Sequence, residues 1–533
     1  MAATYLLKSK NIFDSVKDKP YPGIVVIEGK KITGVYPEED LDKYVDADTK
    51  VIDYGEKMIL PGFIDSHMHA GWAMDFVDET FCVDLGPARS FEECMELMKE
   101  FGEKNPDCQV IFGVNFNFFN LDEYIVPTNK LLDQYFPDKP AMIMTWDVHT
   151  YYANTAAINA AGFTKDTPDP NGGIEKDENG ELTGCFNDTA AFAIGKITER
   201  EPEKRKASLR VFMNKLNSVG VTSIGDVYPC GNNKPYGLFK SMEDELTTRI
   251  HFYPELLTFD MKDLDEYKNT YNSDVLQFAG LKNLIDGVLT VWTAWMLEPY
   301  TNKPETAGFP AVPAEEVKAK IMEACAAGCN VRIHTIGDKA VRYVLDCFEE
   351  AEKKYGKLDR RHNMEHIEYI NPADIPRFAE LGVVANMHFV HCTYYVDDAI
   401  KYLGPEREKY CFNWRAIKDT GAIIGTGTDF PVVLDFNPMI GVFQAITRRR
   451  TDGYPEGGWL PEQCLTLAEA LQIYTYGGAQ ALNRDDDLGT LEAGKLADLV
   501  VLDQNLFDIE DPMDILNVKP VMTMVGGEVV YEK

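Results

Sequence analysis

Hydrophobic and polar residues alternate over short runs at both ends of the chain. Residues 23–35 contain two apolar runs separated by a Gly-Lys turn, a pattern typical of a β-hairpin. Residues 496–503 and 521–531 are also predicted to form strands. Neither end alone has enough strands to bury an apolar face. We therefore expect one small β-sandwich assembled from residues 1–60 and 485–533.

Between these ends, apolar runs of β type alternate with helical patterns. For example, a helical pattern over residues 314–328 precedes the apolar run 329–334. Such alternation predicts a parallel sheet covered by helices, and therefore an α/β fold. We expect a (β/α)8 TIM-type barrel over residues 61–484. This span exceeds the ~250 residues typical of such a barrel, so we also expect an insertion around residues 100–215.

The composition is that of an ordinary globular protein. Of the 533 residues, 45% are hydrophobic and 26% are charged, which argues against a disordered or fibrous chain. The 53 basic and 86 acidic residues give a formal charge of −33, which repels phosphate backbones and anionic lipids. We therefore expect a small-molecule substrate rather than a nucleic-acid or membrane partner, and a homo-oligomer is compatible with this composition.

Two further features bear on the compartment. The 11 cysteines show no recurrent close spacing, which favours free thiols in a reducing environment over a disulfide framework. The first ten residues lack the apolar core of a signal peptide, and no uninterrupted apolar run reaches the ~18 residues of a membrane span. We therefore expect a cytoplasmic protein.

Two histidines separated by one residue, His67 and His69, end an apolar strand predicted to begin at Ile59. Side chains alternate along a strand, so both imidazoles point the same way. Two neutral imidazoles at the carboxyl end of a barrel strand can bind one divalent metal ion, in the region where barrel active sites lie. The alternative, two unrelated histidines, is disfavoured because the chain contains only 9 histidines.

Three further predicted strand ends carry a side chain that can bind a metal ion. These side chains are His334, His366 and Asp429. Taken singly, each histidine would more often be a core residue, and the aspartate more often a helix cap or turn residue. Their occurrence in this order after His67 and His69 instead favours one metal site.

These motifs resemble those of the metal-dependent amidohydrolase superfamily, within it the family-3 branch that includes N-substituted formamide deformylases. The resemblance spans nearly the full length of the chain. It is carried by residues 61–69, 169–174, 333–338, 365–366, 427–432 and 491–499. The last of these segments is similar to the family's return into its sandwich domain. The motifs are specific for the superfamily but not for a substrate.

The resemblance implies a ligand set for one or two divalent metal ions. The set contains His67 and His69 for one ion, His334 and His366 for the other, and Asp429 for the first ion. Imidazole and carboxylate ligands suit zinc, our preferred metal, but also manganese, iron and cobalt.

The resemblance also places a lysine between the two ions. Members with two metals use a carboxylated lysine as the bridge, and residues 280–287 resemble the family's Lys-x-x-x-Asp-Gly segment. Lys282 would then be the bridging ligand. The alternative is a solvated lysine at a strand edge.

Residues adjacent to the ligands are candidates for orienting the imidazoles. Asp65 and Glu365 are the two carboxylates in such positions. Strand alternation places Glu365 on the opposite face from His366, which argues against a role for Glu365.

Three other histidines are candidates for the substrate pocket. His149 lies in a segment that resembles a family segment with a histidine facing the pocket, so it is a candidate for contacting the substrate carbonyl. A structural loop histidine is the alternative. His388 and His391 lie three residues apart where relatives also carry polar residues. Since the metal ligands are complete without them, we assign His391 to the substrate rather than to a metal.

The predicted function is hydrolysis of a non-peptide C–N bond in an N-formyl, N-acyl or cyclic amide. A divalent metal lowers the pKa of bound water to about 7 and so supplies hydroxide at neutral pH. Asp429 would accept the proton of the attacking water and pass it to the departing nitrogen.

Two other functions use the same residues differently. A deaminase of a heterocyclic amine would keep His67, His69, His334 and Asp429 around a single metal ion and would not need Lys282. A catalytically silent binding protein is the second alternative, and the intact ligand set argues against it.

Overall fold

The computed structural model describes residues 4–146, 150–169, 172–187, 189–227, 235–433 and 435–533. Its strands are β1 (Tyr5–Ile12), β2 (Tyr21–Glu28), β3 (Lys31–Tyr36), β4 (Lys50–Asp53), β5 (Met58–Pro61), β6 (Phe63–Met68), β7 (Val83–Asp84), β8 (Ile111–Phe116), β9 (Ala141–Thr145), β10 (Thr150–Ala153), β11 (Ile174–Lys176), β12 (Leu182–Asn187), β13 (Val221–Val227), β14 (Arg249–Tyr253), β15 (Leu276–Phe278), β16 (Leu281–Leu284), β17 (Val331–Thr335), β18 (Asn363–His366), β19 (Val384–Asn386), β20 (Ile424–Gly425), β21 (Leu499–Leu502), β22 (Pro520–Val525) and β23 (Glu528–Glu532).

Its α-helices are α1 (Ala70–Phe76), α2 (Phe91–Lys104), α3 (Asn129–Tyr135), α4 (Thr155–Ala160), α5 (Thr189–Gly195), α6 (Pro202–Ser218), α7 (Tyr236–Ser241), α8 (Leu264–Thr270), α9 (Ala314–Ala326), α10 (Asp338–Tyr355), α11 (Ile375–Leu381), α12 (Ala399–Leu403), α13 (Pro405–Glu408), α14 (Trp414–Asp419), α15 (Pro438–Thr447), α16 (Leu467–Gln472) and α17 (Gly478–Ala481). In the described parts of the chain, no helix is both long and apolar enough to cross a membrane.

The described residues divide into two compact units. The first contains residues 4–70, 213–227 and 235–533, and the second contains the described part of 71–212. The insertion boundaries expected around residues 100–215 stay a prediction.

Strands from both ends of the chain share one sheet in the first unit. Its order is β23-β22-β21-β5-β1-β2-β3, and β4 pairs with β1. The junction is the antiparallel pair of β5 and β21, in which Met58 is opposite Leu502. Alternate side chains, such as those of Val25 and Ile27, form an apolar core on one face. These strands form one continuous sheet in the described residues, so the two-layered sandwich stays a prediction.

Two parallel sheets carry the rest of the first unit. The first has the order β15-β14-β13-β6 and the second the order β16-β17-β18-β19-β20. The mixed α/β architecture agrees with the expected fold class. The expected closed barrel stays a prediction, because the described parallel strands form two separate sheets. At the ends of these sheets, β20 is only two residues long, and β15 and β16 are joined through Gly280, at φ +144°.

Helix α10 is amphipathic and buries one face. In α10, Val341, Val344, Leu345 and Phe348 recur at helical spacing and are buried. The helix ends at Tyr355 and is followed by Gly356, whose φ of +85° is readily adopted only by glycine. The chain then turns into β18, which carries one of the candidate ligands.

The second unit contains a sheet with the order β11-β12-β10-β9-β8-β7. Both faces of this sheet are covered by apolar side chains. Along β8, Ile111 and Phe116 belong to one apolar cluster and Phe112 to the other. These phenylalanines are therefore part of the core of this unit.

A buried ion pair joins two sheets of the first unit and generates a testable prediction. Arg249, in β14, donates from Nε and Nη2 to the two carboxylate oxygens of Asp498, at 2.7 and 2.8 Å. Asp498 immediately precedes β21, and the two side chains are 2% and 5% exposed. An Asp498→Asn variant leaves the buried guanidinium without its counter-charge, so we expect the free energy of unfolding to fall by about 3–5 kcal/mol. Urea unfolding measures this change.

The matched control is Asp508→Asn, which removes an exposed carboxylate from the same part of the chain. We expect this variant to stay within about 0.5 kcal/mol of the parent. An equal, small loss in both variants would contradict the structural role of the ion pair.

Candidate metal centre

Six of the residues selected from the sequence lie in the parallel strands or just beyond their carboxyl ends. They are His67 in β6, His69 just beyond it, Lys282 in β16, His334 in β17, His366 at the end of β18, and Asp429 beyond β20. Parallel strands end at the same edge of a sheet, which is why residues distant in sequence can approach one another here.

The imidazoles form a compact cluster. The ring centroids of His67 and His366 are 5.1 Å apart, those of His334 and His366 are 4.4 Å apart, and those of His67 and His69 are 5.8 Å apart. Burial lowers the pKa of His334 to about 3 and that of His366 well below its usual value. Both imidazoles are therefore neutral at physiological pH and keep a lone pair for a ligand.

Asp429 lies against the first pair of histidines. Its Oδ1 atom is 3.1 Å from Nε2 of His67 and 3.0 Å from Nε2 of His69. Burial raises the pKa of this carboxyl, but contacts with the two imidazoles prevail and hold it well below its usual range. Asp429 is therefore ionised.

Lys282 is buried, not solvated. Its side chain lies in β16 with the residue 5% exposed, and Nζ is 3.5 Å from Nε2 of His67. The segment after it is fixed by Asp286, whose carboxylate accepts backbone N–H groups of Trp295, Ile336 and Gly337. The Lys-x-x-x-Asp-Gly segment thus holds both Lys282 and the loop that follows His334.

Glu365 contradicts the argument from strand alternation. Its Oε2 atom accepts a hydrogen bond from Nδ1 of His67 and another from Asn386 Nδ2, the latter at 2.7 Å. Alternation fails at this point because His366 and Ile367 have φ values of +70° and +51°, which end the extended strand. Glu365 therefore fixes the His67 ring so that Nε2 is left for a ligand.

Asp65 has a different role from the one expected. Its carboxylate accepts the backbone N–H groups of His67 and Thr428 and the Thr428 hydroxyl, rather than an imidazole. The 427–428 segment approaches β6 so closely that a Cβ on Gly427 would lie 2.5 Å from the backbone nitrogen of His67. Asp65 and Gly427 together hold Asp429 next to His67.

Two candidate ligands have backbone conformations that non-glycine residues rarely adopt. His366 has a φ of +70° and Asp429 a φ of +62°. Such conformations cost of order 1–3 kcal/mol each and persist where the surrounding structure enforces them. Because both residues are candidate ligands at strand ends, their strained backbone supports a functional constraint on the conformation of these two residues.

His388 and His391 also lie in the cluster. The His388 ring centroid is 4.5 Å from that of His67 and 4.6 Å from that of His366. His391 donates from Nδ1 to Glu368 at 3.2 Å, and its Nε2 is 3.6 Å from Asp429 Oδ2. Sequence reasoning missed Glu368, whose signal was its position two residues after His366. His149 lies outside the described residues.

The cluster is chemically suited to a divalent metal. Ligand atoms within 4.8 Å of one another occur in three groups: His67, His366 and His388; His67, His69 and Asp429; and His366, Glu368 and His391. Within the described chain, His366 Nδ1 and His388 Nε2 are buried without a hydrogen-bond partner. A cation satisfies such lone pairs, and neutral imidazoles with a carboxylate are typical ligands of zinc and related ions.

Comparison with known proteins gives one consistent result. A family model described as "Amidohydrolase family" matches residues 50–531. "Putative amidohydrolase YtcJ" of Bacillus subtilis is 28% identical, with 96% of each chain covered. An "N-substituted formamide deformylase" of Arthrobacter pascens is 27% identical, covering 96% of this chain and 95% of its own.

A solved structure shows the same similarity. An uncharacterized metal-dependent hydrolase from Pyrococcus furiosus superposes with a TM-score of 0.76 at 25% identity, covering 96% of this chain and 99% of its own. The similarity therefore extends over both ends of the chain as well as the parallel sheets.

The contact of Glu365 with His67 generates a prediction. Glu365→Gln keeps the size of the side chain but removes the charge that holds His67 Nδ1–H. We expect the affinity for zinc to fall about 10–100-fold, the usual effect of losing a carboxylate that orients a metal-binding histidine. Competition with a chromophoric chelator measures this affinity in folded protein.

Glu380→Gln is the control, since Glu380 is exposed on α11. Its zinc affinity should equal that of the parent. A Glu365→Gln protein that folds and binds zinc as tightly as the parent would show that the carboxylate does not orient a ligand.

Proposed function

The chain belongs to the amidohydrolase family, and from this premise we propose that it is a metal-dependent hydrolase of a non-peptide C–N bond. The substrate is an N-formyl, N-acyl or cyclic amide of a small molecule. The observation that carries the proposal is the convergence of neutral imidazoles, the ionised Asp429 and the buried Lys282 at one strand edge. The similarity to an N-substituted formamide deformylase supports this class of bond.

The fold proposed with this function is a barrel with a terminal sandwich. The two parallel sheets would be the two parts of one (β/α)8 barrel. Ser66 N donates to Thr426 O at 3.0 Å, and Lys282 N donates to Pro254 O at 2.8 Å, so backbone hydrogen bonds bridge the sheets at both junctions. Both support closure. The sheet shared by the two ends of the chain would be part of the sandwich.

The proposed ligands form two sets joined by a lysine. His67, His69 and Asp429 would hold one ion, and His334 and His366 would hold the other. Lys282, if carboxylated on Nζ, would join the two sets, and zinc is the preferred metal. When bound, divalent ions supply a water of lowered pKa and polarise the substrate carbonyl.

Asp429 is proposed as the proton carrier. Its Oδ1 faces His67 and His69, whereas Oδ2 lies 3.6 Å from His391 Nε2. One oxygen can therefore remain with the ligand histidines while the other accepts the proton of the attacking water and returns it to the departing nitrogen.

His391 is proposed to contact the substrate. Its bond to Glu368 fixes the ring, and that bond together with the nearby Asp429 raises the pKa of His391 although burial opposes the increase. The Nε2 atom of His391 then points toward Oδ2 of Asp429, the proposed proton carrier. His149 stays a candidate for the same role.

The decisive experiment is a substrate screen with protein whose metal content has been measured. The panel contains N-formyl amines, N-acyl amines, cyclic amides and heterocyclic amines. We expect release of an amine and a carboxylate, or ring opening of a cyclic amide. Release of ammonia from heterocyclic amines alone would replace the proposal with the deaminase alternative.

The bridge proposed for Lys282 gives a prediction about metal content. Lys282→Ala should reduce the metal content from two ions per chain to at most one and abolish most turnover, because neither ion set is complete without the bridge. Elemental analysis measures the content. Propionate, a small carboxylate, should partly restore it by replacing the carbamate.

The control for this variant is Lys262→Ala, since Lys262 is 88% exposed. It should retain the parent's metal and activity. A Lys282→Ala protein with the parent's metal content and turnover would exclude the bridge. A parent with a single ion and deaminase activity would favour the mononuclear alternative.

The role of Asp429 gives a kinetic prediction. Asp429→Asn keeps the size of the side chain and one ligand oxygen but cannot carry the proton. We expect kcat to fall about 10²–10⁴-fold, with a smaller change in KM. The comparison requires equal metal content in both proteins, because loss of ions would imitate loss of proton transfer.

Asp435→Asn, which changes an exposed carboxylate six residues away, is the matched control and should keep the parent's kcat. If fully metallated Asp429→Asn turns over within a few-fold of the parent, the proton is carried by another group, and His391 is the next residue to test.

A further inference from the structure

His388 occupies the middle of the imidazole cluster, although no motif assigned it to the metal. Its ring centroid lies 4.5 Å from that of His67 and 4.6 Å from that of His366, and the latter two are 5.1 Å apart. The three rings meet edge to face and do not stack. Their ligand nitrogens lie within 4.8 Å of one another.

The two ring nitrogens of His388 have different surroundings. Nδ1 donates to the backbone carbonyl of Gly427 at 3.0 Å, which fixes the tautomer and leaves the lone pair on Nε2. Within the described chain, Nε2 has no hydrogen-bond partner, and the residue is 0% exposed. A histidine whose other nitrogen is held by a backbone carbonyl is the usual arrangement of a metal ligand.

The surroundings of His388 argue against a substrate contact and against a purely structural role. A substrate contact needs access, and His388 is 0% exposed, whereas the neighbouring His391, also buried, keeps 8% exposure and is bonded to Glu368. A purely structural histidine normally has both nitrogens satisfied, as His251 does with Ile224 and Arg484. His388 has neither access nor a second partner.

We infer that His388 is a metal ligand, and that its Nε2 adds an imidazole to the centre where the His67 and His366 ligand sets meet. Three neutral imidazoles favour a late first-row divalent ion such as zinc or cobalt over the hard ions magnesium and calcium. This inference rests on the proposed metal-dependent function. It adds one ligand to the proposed centre. His67 and His366 belong to different ligand sets, and His388 contacts both histidines.

The test measures metal binding by His388→Gln, a polar variant without an imidazole, in the full chain. Chelator competition gives the zinc affinity, and the visible absorption of the cobalt-substituted protein reports the ligand field. We expect zinc affinity to fall by more than the ~10–100-fold typical of a residue outside the ligand set, and the cobalt spectrum to change. His362→Gln is the control, since His362 bonds Val331 N and stacks on Phe348 apart from the cluster. It should bind both metals like the parent.

A second variant separates ligation from packing. In His388→Ala, added imidazole should restore the cobalt spectrum, whereas pyrrole, which has the same ring shape but no basic nitrogen, should not. Equal restoration by both rings, or an unchanged affinity and spectrum in His388→Gln, would overturn the ligand role and leave the proposed function intact. A parent protein that binds no divalent metal would overturn both.

Discussion

The carboxylate of Glu365 is the contact on which the arrangement of the centre depends. It accepts from Arg332 in β17, from Asn386 in β19 and from His67 in β6, and it projects from β18 itself. Four strands drawn from both parallel sheets therefore meet at one buried group. Arg332 and His67 lower the pKa of this carboxyl well below its usual range, although burial opposes them. The negative charge of Glu365, which fixes the His67 imidazole, is thus stabilised by buried residues of the neighbouring strands.

A second constraint is the close packing of the segment that carries Asp429. Gly427 leaves space for the backbone of His67, and Asp65 bonds both β6 and Thr428. Burial raises the pKa of Asp65 to about 7, although its hydrogen bonds oppose the increase. The left-handed backbone of Asp429 is maintained by this packing, so the geometry of the site depends on tight steric fit as well as on charge.

How much of this structure the sequence predicts depends on whether the interactions are local or join distant segments of the chain. The two-residue periodicity of strands is local, and it correctly oriented His67 and His69 toward a common centre. The same rule failed at Glu365, because the left-handed conformation of His366 is imposed by tertiary packing. His388 could not be identified as central, since its surroundings depend on the carbonyl of Gly427 and on rings from two other strands. The pairing of β5 with β21 likewise depends on contacts between distant segments, which no local pattern encodes.

The pairing of β5 with β21 also governs the order in which the chain can fold during synthesis. At about 5–20 residues per second, the ribosome needs on the order of tens of seconds to reach residues 499–502 after it has completed residues 58–61. Throughout this interval the apolar edge of β5 lacks the strand that pairs with it in the finished sheet. Unpaired apolar edges are the surfaces through which nascent chains associate wrongly. The partner strand of β5 is thus synthesised much later than it would be in a protein whose strands pair with neighbours in sequence.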